Sequence, residues 1–193
     1  MKKILVLICC GIFCLGAGPN GPDQGVLKKE ARLAAKEFME TLKGHLQTAI
    51  KKDGPVHAIR VCSQEAPRIA SRISRERGWE VGRTSLQLRN HANLPEVWER
   101  AILEEFAEKQ AQRTKAENLE YAEVVDVNGE KRFRYMKAIP TQEVCLLCHG
   151  QELAAEVKEQ LTEDYPYDQG AGFVVGDLRG AFSIEVPFLP PAK

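Results

Sequence analysis

The chain has 193 residues, with 27 Lys and Arg against 27 Asp and Glu. That balance gives no basic excess for nucleic acid or an anionic membrane, so neither is expected as a partner. The length is enough for one domain with a proper core.

Met1-Lys2-Lys3 followed by the apolar run from Ile4 to Leu15 is a basic start and a stretch too short to span a bilayer. It ends in the small residues Gly16-Ala17-Gly18, so residues 1–18 read as a cleaved export signal and the mature protein is expected in the periplasm. A lipoprotein acylated at Cys14 is the alternative, disfavoured because bulky Phe13 stands where a small residue is wanted. Cleavage removes Cys9, Cys10 and Cys14, together with Lys2 and Lys3, and leaves acidic residues in slight excess. Residues 19–193 show no repeat, no Gly/Ser linker and no second long apolar run, so one domain is expected and no spanning segment after cleavage.

Leu27, Ala31, Ala34, Phe38, Leu42, Leu46 and Ala49 recur at helical spacing and predict a long amphipathic helix from Val26 to about Lys52. Asp53-Gly54-Pro55 ends it and starts a second helix over 55–77, whose apolar face carries Ile59, Cys62, Ala66, Ile69 and Ile73. Pro67 should kink or restart that helix. Residues 80–88 alternate like a strand, 89–95 read as a loop, and helix resumes near Pro95. Tyr121–Val127 and Lys131–Ile139 flank Asn128-Gly129, a hairpin signal because both residues tolerate positive φ. Glu152–Leu161 reads as a short helix. Gly172–Val175 and Ala181–Val186 then predict a second hairpin. Helices followed by about five short strands argue for an α+β fold with one antiparallel sheet.

Cys145-Leu146-Leu147-Cys148-His149 is a C-x-x-C-H sequence. Its spacing lets two sulfurs reach the two vinyl groups of one porphyrin, forming thioethers, while the adjacent imidazole lies beneath the ring as an iron ligand. The competing readings are a disulfide or a dithiol exchange site. Zinc has little support, since a structural site wants four ligands and no second Cys/His pair accompanies this one. Among the three cysteines that survive cleavage, an odd number, haem attachment leaves Cys62 over.

Several further stretches resemble a family of exported haem c proteins described only as a domain of unknown function. They are Val61-Cys62-Ser63, Arg83-Thr84-Ser85-Leu86, Arg89-Asn90 before Asn93-Leu94-Pro95, the motif through Gly150, and Gly176-Asp177-Leu178-Arg179-Gly180-Ala181. His91 departs from the pattern, standing where proline is expected. The resemblance implies a PAS-like sensor fold preceded by helices and a single c-type haem, with histidine on one side of the iron and cysteine on the other.

On the residues alone, Cys62 is a buried thiol on an apolar helix face; the resemblance makes it the candidate ligand opposite His149. Its rivals are His91, the best of them, and His57, His45, Met136 and Met39. Arg83 and Arg89 are candidates for pairing with haem propionates, because a guanidinium fork matches a carboxylate; a solvated strand edge is the plain alternative. No Ser/His/Asp set or pair of catalytic carboxylates stands out, so no enzymatic activity is expected. The expected role is a haem-based redox or diatomic-gas sensor working through a displaceable Cys62. A sensor of this kind needs a periplasmic redox or signalling partner, because no output domain is read within these residues. The alternatives are a mono-haem electron carrier and, further off, a thiol–disulfide exchange enzyme.

Overall fold

The structure, a computed structural model, describes residues 23–187; the expected signal peptide lies outside them. Helix α1 spans Gln24–Arg77 and is broken at Gly54, whose φ of 81° and ψ of 177° no helix can hold. The two halves double back on each other. Ion pairs Glu37–Arg72 at 2.7 Å, Glu30–Arg77 at 3.4 Å and His45–Glu65 at 3.7 Å join positions equally far from the turn. The break and both apolar faces stand where the periodicity places them. A restart at Pro67 does not occur: Gly54 is the one position inside α1 with non-helical angles. Only a single intrahelical bond is lost at Pro67, and the Ala66 and Ile69 contacts with the core outweigh it.

Four strands follow: β1 Glu80–Thr84, β2 Glu120–Val127, β3 Glu130–Pro140 and β4 Leu178–Pro187. They form one antiparallel sheet in the order β1-β4-β3-β2. Between β1 and β2 runs α2, Val97–Ala111, preceded by a 3-10 turn at His91–Asn93; α3, Glu143–His149, and α4, Ala155–Asp164, lie between β3 and β4. The fold is thus mixed α+β with helices leading, as expected, but with four strands instead of five. Gly172–Val175 makes no strand because its backbone groups are taken elsewhere. The Gly172 and Phe173 N–H groups donate to the carbonyls of Gly150 and His149, each at 3.0 Å, and the Val174 N–H donates to Asp177 at 2.8 Å.

Alternation along β3 and β4 gives the sheet two apolar faces. Phe133, Tyr135, Phe182, Ile184 and Val186 meet Phe38, Ile69 and Ile73 of α1. Met136, Ala138 and Ala181 meet Leu103 and Phe106 of α2. Glu120 of β2 fastens the start of α1 to the sheet edge through Lys28 at 2.8 Å and Arg32 at 2.6 Å. Among the described residues no helix is long and apolar enough to cross a membrane.

Candidate functional site

Toward the turn of α1 the helix pair and the sheet diverge and leave a cavity of about 400 Å³, within the range of about 300–1,000 Å³ typical of small-molecule sites. Leu42, Leu46 and Ile50 from one half of α1, Ala58, Ile59 and Cys62 from the other, and Ile139 and Phe182 from the sheet form its apolar walls. Cys145, Cys148 and His149 close one end. In the seven-residue helix α3 these three stand at positions i, i+3 and i+4, so helical geometry alone turns them to one side. The hairpin of β2 and β3 delivers α3 to this place, because β3 runs straight into it through Thr141 and Gln142.

The carbonyls of Cys148, His149 and Gly150 at the end of α3, which no helical N–H can reach, find partners elsewhere in the fold. Arg89 Nη2 donates to the Cys148 carbonyl at 2.6 Å, and the Phe173 and Gly172 N–H groups donate to those of His149 and Gly150. Arg89 also pairs with Asp168 at 2.9 Å and donates to the Gly170 carbonyl at 3.1 Å. That same carbonyl lies 2.5 Å from His149 Nδ1. A carbonyl only accepts, so the proton of the neutral ring sits on Nδ1 and Nε2 keeps its lone pair. Arg179 Nε, 3.1 Å from Nδ1, cannot donate to a nitrogen that is already donating. Burial first, then the charges of Arg179 and Arg89, hold His149 well below the ordinary histidine pKa, so the ring is neutral at neutral pH, as a ligating imidazole must be.

Gly170 admits no other residue without rearrangement. A Cβ there would lie 2.9 Å from Arg179 Nη2 and 3.1 Å from both Arg89 Cβ and Asp168 Oδ1. Burial pushes the Cys148 thiol up to about 11, against the opposing pull of Arg89. The Cys62 thiol is likewise raised by burial, although Arg83, Arg89 and Arg179 draw it down. All three cysteines are free thiols.

Every candidate residue from the sequence, Cys62, Arg83, Arg89, Cys145, Cys148 and His149, lines this one cavity. Of the rivals to Cys62, Met39 lines it as well. His91 instead meets Tyr167 edge-on at 6.1 Å, His45 and His57 are half exposed beside Glu65 and Asp53, and Met136 is buried on the far face of the sheet. Asp168, Gly170 and Arg179 are functional neighbours that sequence reasoning missed. Arg179 stands between Gly176 and Gly180, where the glycines signal a turn and nothing local signals a site. Among the described residues no three His, Cys, Asp or Glu side chains cluster closely enough to hold a metal by themselves.

The family model described as Tll0287-like matches residues 24–187. The crystal structure titled for the cyanobacterial heme-protein Tll0287 is similar in fold, with a TM-score of 0.65 and 22% identity over 89% of this chain and all of that one. No curated protein matches the chain.

Proposed function

The chain belongs to the Tll0287-like family, and from that premise we propose that it is a c-type haem protein acting as a redox or diatomic-gas sensor. The observation that carries this reading is the gathering of Cys145, Cys148 and His149 on one short helix, at the wall of a largely apolar cavity that Cys62 also lines. A haem bound there would supply a redox-active iron. Cys145 and Cys148 would supply the thiols for thioether attachment, and His149 Nε2 would offer a nitrogen donor to the iron, its ring fixed by Gly170. Cys62 would offer a sulfur donor from the second half of α1. Its burial favours the neutral thiol over the thiolate, so its sulfur holds a cation only while the cation's charge compensates. Held in this way, Cys62 would be open to displacement if a bound iron gained an electron or met a competing gas.

Displacement of Cys62 would act directly on the second half of α1, which packs on the sheet through Ala66, Ile69 and Ile73. The PAS-like assignment belongs to this proposal too, supported by an antiparallel sheet with helices leading it. So do export to the periplasm and an external signalling partner. A second reading, an electron carrier, is favoured by Leu147. Lying between the two cysteines, it is 44% exposed and brings the site near the surface. The carrier reading requires the ligands to stay the same in both oxidation states. Thiol–disulfide exchange is a third reading, in which Cys145 and Cys148 stay free of haem and cycle between dithiol and disulfide.

The direct test is a haem-stained denaturing gel of protein matured with c-haem attachment machinery. Wild type should retain the stain and the Cys145→Ala, Cys148→Ala double variant should lose it. A haem-free wild type with reactive thiols would overturn the reading.

A further inference from the structure

Lys43, Arg83, Arg89 and Arg179 line the cavity, and no Asp or Glu does, in a chain whose acidic and basic residues are equal in number. The four cations are not equivalent. Lys43 donates to Gln142 Oε1 at 2.8 Å, and Arg89 is neutralised by Asp168. Arg83 points to the α1 side of the sheet because it is paired in register with Phe182. Its guanidinium rests 5.6 Å from the Phe38 ring and meets no carboxylate among the described residues. Arg179 Nε abuts His149 Nδ1 at 3.1 Å without donating to it, and Nη1 donates to Ser85 Oγ and the Gln87 carbonyl. Its Nη2 has no acceptor among the described residues, and it too meets no carboxylate.

Guanidinium groups withdrawn from water without an anion are costly to keep, and apolar side chains could have lined these walls at less expense. We propose that the cavity selects a ligand carrying two carboxylates, one held by Arg83 and one by Arg179. Arg89 is a positioning residue that reaches His149 through the shared Gly170 carbonyl and by Nη1, 3.5 Å from Nε2. The inference rests on the haem reading and deepens it: for a haem the two carboxylates are the propionates, and Arg179 takes the place that the sequence suggested for Arg89.

The test uses iron-free mesoporphyrin IX, which has ethyl groups in place of vinyls and so forms no thioether, beside its dimethyl ester. Binding to the haem-free full chain is followed by porphyrin fluorescence. The diacid should bind about tenfold to a hundredfold more tightly than the ester, the range expected for charge-assisted hydrogen bonds. Arg83→Met and Arg179→Met should each weaken the diacid while leaving the ester unchanged, and Arg83→Lys should restore part of the ratio. Equal binding of diacid and ester by wild type overturns the inference and leaves the haem reading standing, a result that needs no variant to fold. A wild-type ratio in Arg179→Met overturns the allocation. Binding of neither porphyrin overturns the haem reading itself.

Discussion

Arg89 and Asp168, 79 residues apart in sequence, meet at the cavity wall with side chains only 10% and 15% exposed. Through that pair, the loop after α4 is locked to the loop after β1, and both are locked to the end of α3. Removing one charge strands the other. Asp168→Asn should therefore lower stability by about 3 kcal/mol, the lower end for breaking a buried pair, measured by chemical denaturation. A change near zero would show that Arg89 finds solvent and that the wall is not held this way.

Gly170→Ala probes the same corner sterically. The added methyl group would press on Arg179, Arg89 and Asp168 at about 3 Å, at a cost of about 1–3 kcal/mol for overpacking. Relief would come most easily by moving the Gly170 carbonyl, which fixes the His149 ring. The holoprotein's reduction potential should shift in this variant. An unchanged potential with normal stability would mean that the carbonyl does not govern the ring.

The core of the fold and the heart of the site were legible in the sequence, the surround of the site was not. Both halves of α1 follow from Leu27, Phe38, Ile59 and Ile73 at helical spacing, and the β2–β3 hairpin from Asn128-Gly129, whose φ angles of 56° and 85° bear out the turn chemistry. Each is a repeated or local signal. Gly172–Val175 had strand-like composition but no free partner, since strand pairing depends on what the opposite backbone is already bonded to. Asp168, Gly170 and Arg179 are single residues brought to His149 from positions 19, 21 and 30 residues later in sequence, and no periodicity marks such placements. His91 looked the strongest rival to Cys62 because histidine is a common ligand; the fold turns it toward Tyr167.

Glu120 makes acid stability testable. Hydrogen bonds from Arg32, then Lys28, outweigh burial and hold its carboxyl down at about 2. A carboxylate lowered on folding adds stability above its ordinary pKa and loses it as pH falls toward the lowered value. Wild type should therefore lose stability between roughly pH 4.5 and pH 2. Glu120→Gln should flatten that part of the profile and cost up to about 1 kcal/mol at neutral pH, as partly solvated pairs do. Parallel profiles for the two proteins would remove Glu120 from the acid transition.

The central claim is that Cys62 faces His149 across a bound haem. Paired optical and EPR spectra of matured wild type and Cys62→Ser, each oxidised and reduced, test it most directly. Oxidised wild type should be low-spin with a thiolate signature that Cys62→Ser abolishes, and that signature should fade when wild type is reduced. Identical spectra for the two proteins in both oxidation states would contradict the account. Met39, which lines the same cavity, would then be the residue to replace next.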